Sequence, residues 1–318
     1  FYIPGTETCL RIGAEIRYQV GTSGENDLVG DANYNSFIPE TWNSHSRARI
    51  FLDARSETEY GLLRGYARVD LSRTDGANAP TTNHAWLSLG GFRVGWTDSA
   101  WVYPPHGGAA AGGSHTDNGF FYGYHQTHLI QYNFSGDNGF FGTISLEDDN
   151  TAGLDYTPDI VGVVGINQGW GAAWLKVGYD ATYNVLDDSG FGVTAGLHYN
   201  IPGAPGSSFR LIGYYADSDN LFNPLTGTGL ATWSDGVGVY GGPEWSILAS
   251  YHHQFNAQFG ASIGVQWFND FYESGTDIST GLDGWALELA AVWTPVQNFT
   301  VRTEVIYSDF DTVPGSLL

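Results

Sequence analysis

Apolar side chains recur at every second position over much of this chain, and that period constrains its fold more than any other feature. In residues 10–20, Leu10, Ile12, Ala14, Ile16, Tyr18 and Val20 share one face, and Arg11, Glu15, Arg17 and Gln19 the other. In residues 46–56, Ala48, Ile50, Leu52 and Ala54 oppose Arg47, Arg49, Asp53 and Arg55. Leu63, Ala67, Val69 and Leu71 then oppose Arg64, Tyr66, Arg68 and Asp70. The pattern returns late, with Phe259, Ile263, Val265 and Trp267, then Trp285, Leu287, Leu289 and Trp293, then Phe299, Val301, Val305 and Tyr307. Successive side chains of a strand point to opposite faces, so each segment is a strand with one apolar and one polar face.

A half-buried strand of a soluble sandwich alternates too. Here, however, the polar faces carry charges in mid-strand, and the apolar faces often end in Trp, Tyr or Phe, as interfacial girdles do. No apolar run approaches the roughly 18 residues of a spanning helix. Gly is frequent at 44 residues, aromatics make up 15%, and mean hydropathy is only −0.19. These features fit a transmembrane antiparallel β-barrel, whose membrane signal is spread thinly over alternate positions. The expectation is an all-β, up-and-down barrel forming one domain over residues 1–318. The runner-up is a soluble secreted β-protein that binds glycans.

Short connectors are expected at 56–59, 90–91, 135–139 and 294–298. Longer polar segments are expected at 21–44, 72–82, 97–125, 148–158, 180–190, 217–243 and 268–283. Short turns at one end and long loops at the other is the asymmetry of bacterial barrels. About 15 strands can be counted, and the even number such barrels use makes 16 the natural reading. After Tyr307 the chain reads as a loop, so a final strand is expected to be missing. No leader is visible at the start. Cys9 is alone and cannot form an internal disulfide.

Net charge is −22, with only 12 Lys and Arg, which excludes a basic stripe for nucleic acid. Nine of the eleven arginines precede residue 94. A hairpin turning at 56–59 would set Arg47 beside Arg68 and Arg49 beside Tyr66, with Arg64 close by. Like charges opposed on a sheet are destabilising. Arg17, Arg47, Arg49, Arg64, Arg68 and Arg93 are therefore expected to form the basic wall of a pore constriction. The bland alternative is a set of solvated lumenal arginines paired with Glu15, Asp53 and Asp70. Segment 97–125, long, Gly-rich and aromatic, is the candidate inward loop, with Asp98 and Asp117 its only carboxylates. An ordinary extracellular loop is the alternative.

Other acids, among them Glu25, Asp27, Asp31, Glu147, Asp148, Asp149, Asp187, Asp188, Asp217 and Asp219, fall in expected loops or at strand ends. Acidic mouths concentrate cations. Such clusters could also hold Ca²⁺ or Mg²⁺ that bridge to lipopolysaccharide phosphates, although the partial calcium-loop spacing at 31–35 lacks the required Gly. No nucleophile elbow, zinc motif or phosphate loop is present. His252-His253 points to opposite faces of a strand and offers no ready metal site.

The run 1–13, FYIPGTETCLRIG, resembles the opening of alphaproteobacterial porins of the rhizobial and Brucella type. GFRVGWTDSAW at 91–101, DIVG at 159–162 and QGWGAA at 168–173 resemble later segments of those proteins. The resemblance implies a 16-stranded homotrimeric channel of the bacterial outer membrane, among lipid and lipopolysaccharide, passing small hydrophilic solutes without a cofactor and narrowed by its third loop. It also implies an upstream cysteine able to pair with Cys9. The function expected is passive diffusion with a mild cation preference, the alternative being a substrate-specific channel such as one for sugars.

Overall fold

A computed structural model describes residues 7–22, 42–74, 76–117, 120–148, 157–227, 233–234 and 237–313. Turns of two to seven residues join pairs of strands at one end of the molecule. They connect β2 (Trp42–Thr58) to β3 (Gly61–Thr74), β4 (Ala77–Leu89) to β5 (Phe92–Asp98), and β6 (Gln126–Ser135) to β7 (Phe140–Glu147). They also connect β8 (Asp159–Gln168) to β9 (Gly171–Asp180), β10 (Gly190–Asn200) to β11 (Ser208–Ala216), β13 (Val239–Gln254) to β14 (Phe259–Glu273), and β15 (Gly284–Val296) to β16 (Phe299–Phe310). β1 (Cys9–Thr22) precedes them, and the two-residue β12 (Trp233–Ser234) pairs beside β13. Every neighbouring pair is antiparallel, and fifteen strands follow one another as a single meander from β1 to β16. Among the described residues, β1 and β16 each pair on one side only. Among the described residues there are thus fifteen long strands, the number counted in the sequence, one short of the sixteen of an even-numbered barrel.

The faces are inverted relative to a soluble sheet. Ile12, Ile50, Leu52, Val69, Val177, Leu211, Val265 and Leu289 all lie exposed on the outside. Gln131, Ser145, Lys176, Ser250, Gln266 and Glu288 lie buried on the inside. Exposed rings mark two levels. Tyr132, Trp170, Tyr199, Phe259 and Trp293 lie towards the short turns, and Tyr179, Phe191, Tyr215 and Trp245 towards the long loops. Phe191 and Tyr199 are both on β10. Their spacing is roughly 26 Å along the strand, or about 20 Å of height at the usual tilt, close to the ~25 Å apolar band of outer-membrane barrels.

Three expectations are corrected. The first hairpin turns at Glu59-Tyr60, not at 56–59, because Gly61 takes the positive φ of +102° and Thr58 Oγ1 bonds both Tyr60 N and Gly61 O. The register therefore moves by four residues: Arg47 lies opposite Ser72, Arg49 opposite Asp70, and Arg68 opposite Phe51. An even shift leaves every side chain on its expected face. Segment 72–82 is not a loop, since β3 runs to Thr74 and β4 starts at Ala77. Its polar Ser72 and Thr74 continue the inner face that carries Arg68 and Asp70, where polar side chains are the rule, so polarity there marks the lumenal face and not a loop. The inward loop begins at 99, because Asp98 is the last residue of β5. Residues 31–35 and the two chain ends lie outside the described residues.

Candidate functional site

The arginines of the first strands form a ladder on the inner face, interleaved with acids. Arg49 grips Asp70 through Nε and Nη2, both at 2.8 Å. Arg64 grips Asp53 in the same bidentate way at 2.8 and 3.0 Å, and Arg55 Nη2 reaches Asp53 at 2.6 Å. Arg47 donates to Glu15 at 2.9 Å. Planar forks on carboxylates are the strongest common ion pairs, so these contacts fix guanidinium orientation as well as charge. Each acid sits beside the Arg that would otherwise repel its neighbour, which is how the sheet tolerates Arg17 directly opposite Arg47 and Arg55 directly opposite Arg64.

Two of the expected six are different. Arg68 bonds Asn83 through Nη2, and Arg93 lies over the Trp86 ring at 4.3 Å. Among the described residues neither has a carboxylate partner. Arg17 is elsewhere again, ion-paired to Asp117 of the inward loop.

Residues 99–117 and 120–125 fold into the lumen and run along the wall opposite the arginine ladder. The start is held by Ala100 N on Glu147 Oε1 at 3.0 Å and by Lys176 Nζ, which donates to Trp101 O at 2.7 Å. Trp101 packs on Phe222, a residue of the long loop between β11 and β13. Phe222 sits against Gly178 and Gly192, where an added Cβ would fall 2.4–2.6 Å from it, so only glycine admits the ring. Arg210 then acts as a hub. Its guanidinium donates to Ala109 O at 2.7 Å, to Ser114 O at 3.2 Å and to Gly113 O. His115 bridges Ser208 and Ser250, each at 2.8 Å. Thr116 donates to Glu288 at 2.9 Å, and Phe121 and Gln266 exchange a pair of bonds at 3.2 and 2.8 Å.

The loop therefore spans the wall from β7 to β16 and reaches β1 through Asp117. Asp117 pairs with Arg302 of β16 at 2.5 Å and with Arg17 of β1, and its N–H donates to Glu304 at 2.6 Å. Asp98 stays on the arginine side. It accepts from Tyr124 OH at 3.1 Å and from Gln126 at 2.8 Å, close to Asn83 and Arg68. The loop also brings Tyr124 beside Arg68, and Tyr124 clusters with Tyr103 and Tyr122, ring centroids 6.2–6.5 Å apart.

Sequence reasoning missed Lys176 and Arg210 as loop anchors. The signal was present: each is a lone cation flanked by apolar residues, Leu175 and Val177 or Phe209 and Leu211, and so must face the lumen. Among the described residues no cluster of three or more His, Cys, Asp or Glu is arranged to hold a metal ion. Glu147, expected at a loop mouth, is buried behind the inward loop instead.

Residues 1–315 match the sequence profile of a family described as Porin subfamily. Porin Omp2b of Brucella suis biovar 1 (strain 1330) is 28% identical over 334 residues, covering 98% of this chain and 80% of the relative. Porin Omp2a of Brucella melitensis biotype 1 is 32% identical over 207 residues, 57% of this chain and 54% of the relative. Among solved structures, the outer membrane channel DcaP of Acinetobacter baumannii superposes with a TM-score of 0.71 at 15% identity, covering 98% of this chain and 93% of that one. OmpF of Salmonella typhi gives 0.59 at 9% identity, covering 97% and 99%. At those identities the likeness is one of fold.

Proposed function

The chain belongs to the porin subfamily and is a β-barrel channel protein of the bacterial outer membrane; from that premise we propose that it is a general diffusion porin for small hydrophilic solutes and ions. Its pore narrows between the arginine ladder of β2–β5 and the loop 99–125, with a mild cation preference, and it works as a homotrimer. The observation that carries this reading is the pinning of the loop. Bonds from Glu147, Lys176, Arg210, Gln266 and Glu288 hold it across the lumen on the side away from Arg47, Arg49 and Arg68. A narrowed gap lined by fixed charges orders water and favours hydrophilic solutes, and rings of charge set ion preference. The net charge of −22 supports cation enrichment at the mouths.

Planar-bilayer recordings test the proposal. Conductance should scale with the bulk mobility of small ions. Saturable block by a single sugar would overturn it in favour of a substrate-specific channel. Replacing Arg47 and Arg68 together by alanine should shift the reversal potential towards cations. An unchanged reversal potential would remove those two residues from the constriction.

A further inference from the structure

The arginine ladder falls into two tiers. Arg47, Arg49 and Arg68 lie at mid-height beside Glu15, Asp70 and Asp98, three cations to three acids. Arg55, Arg64 and Arg93 lie next to the short turns, since Arg64 pairs with Arg55 on one side and with Ser88 on the other, and Ser88 pairs with Arg93. Four residues of β3 separate Arg64 from Arg68, about 13 Å along the strand. The lower tier holds three guanidiniums and one carboxylate, Asp53, and among the described residues Glu57 and Glu59 of the turn make no ion pair with it.

This tier is built, not merely charged. Arg64 and Arg93 both stack on Trp86, at 5.0 and 4.3 Å from the ring centroid, and Tyr66 stacks on the same indole at 5.2 Å. Opposite Trp86, Gly95 takes φ +132°, and a Cβ there would fall 2.3 Å from Ala85 O and 2.7 Å from Trp86 Cα, so glycine is what lets β5 lie this close to β4 beneath the ring. Arg93 Nε is buried without a hydrogen-bond partner, and directly opposite it Gln131 Oε1 is likewise unsatisfied. An unpaired guanidinium held flat on an aromatic wall keeps its donors for something else.

We propose that Arg93 and Arg64, held against Trp86, form with Arg55 a subsite at the short-turn end of the pore for an oxyanion, the carboxylate or phosphate group of a passing solute. Asp53 neutralises one of the three cations and fixes Arg55 and Arg64 in place, while Arg93, which Asp98 reaches only at a distance, makes no ion pair among the described residues. The subsite rests on the channel reading above. It deepens that reading, because acidic mouths that favour cations in bulk current leave a local stop for multiply charged anions inside.

The test uses the full-length protein in planar bilayers, with inorganic phosphate and succinate each titrated into a potassium chloride background at constant ionic strength. Wild type should show saturable reduction of the chloride-background current by at least one of the two. Block by only one of them assigns the subsite to that class of oxyanion. Arg93→Gln should raise the half-blocking concentration about tenfold, the loss of one charge-assisted contact. Arg93→Lys, which keeps the charge but not the planar fork, should fall between. Normal potassium chloride conductance with no block by either anion overturns the subsite and leaves the porin reading standing. Block that is equal in wild type and Arg93→Gln also overturns it. Saturable block by an uncharged sugar instead sinks the general-porin reading and not the subsite.

Discussion

Asp117 on the inward loop lies 2.5 Å from the guanidinium of Arg302 on β16, the last strand of the meander. The same carboxylate meets Arg17 on β1, the first strand, so one loop residue ties together the two strands that do not pair with each other among the described residues. These groups are partly solvated, and exposed ion pairs contribute up to only ~1 kcal/mol each, so the tether positions the loop more than it stabilises the protein. Asp117→Asn should leave thermal stability nearly unchanged. It should increase brief current fluctuations in single-channel records, as the loop tip samples the lumen. Records with the noise of wild type would refute the tether.

Arg210 is the stronger anchor. Its guanidinium serves backbone carbonyls of Ala109, Gly113 and Ser114. Hydrogen bonds to charged donors are worth about 1.5–3 kcal/mol each, and they are not additive. Arg210→Met should therefore destabilise by roughly 2–4 kcal/mol and raise the protease sensitivity of residues 108–114. Arg210→Lys, with three donors but no planar fork, should be intermediate. Denaturant midpoints in detergent would decide, and equal midpoints for wild type and Arg210→Met would show that the loop is held by its apolar contacts instead.

The faces of the strands were legible because period 2 survives any even slip of register. Ile50 and Val69 are outside, and Arg49 and Asp70 inside, whether the hairpin turns at 57 or at 60. The pairing was not legible. Nothing local distinguishes Ser56-Glu57-Thr58-Glu59 from Thr58-Glu59-Tyr60-Gly61 as a turn except the left-handed conformation that Gly61 supplies. That two-residue move of the turn shifts the register by four and replaces an expected clash of Arg47 with Arg68 by the Arg49–Asp70 and Arg64–Asp53 forks. The course of the inward loop was also hidden. Its anchors Lys176, Arg210 and Gln266 lie 50 or more residues downstream of it, and no spacing rule connects them.

Asp219 links the long loops. Its carboxylate accepts from Gly242 N at 2.7 Å and from Gly275 N at 2.8 Å, yet burial pushes its pKa above the ordinary value, the backbone donors only partly opposing that. A carboxyl with a raised folded-state pKa binds its proton more tightly in the folded protein. The stability linked to it is present below the unfolded pKa of about 3.9 and is lost as pH rises through the folded value. Hydrogen-exchange protection of the segments containing Gly242 and Gly275 should therefore decline as pH rises above about 4. Asp219→Asn should flatten that decline while keeping one carbonyl acceptor, whereas Asp219→Ala should lower protection at every pH. An identical pH slope in wild type and Asp219→Asn would assign the dependence to another group.

Val265 and Gln19 separate the two faces of the wall. Val265 is 46% exposed on the outside of β14, between the aromatic levels, while Gln19 lies on the inner face of β1 opposite His45. A lysine at the lipid midplane costs about 2–4 kcal/mol, because the ammonium loses its hydration and finds no partner among acyl chains. On the lumenal face water solvates the same charge, and the cost falls within the surface range of about 0.5 kcal/mol. Val265→Lys should thus lower unfolding free energy in phospholipid vesicles by several times more than Gln19→Lys does. Both proteins should insert, so the comparison rests on stability and not on expression. If Val265→Lys proves as stable as Gln19→Lys in vesicles, the outward face of β14 meets water or protein instead of lipid. The two-girdle assignment would then have to be withdrawn for that side of the barrel.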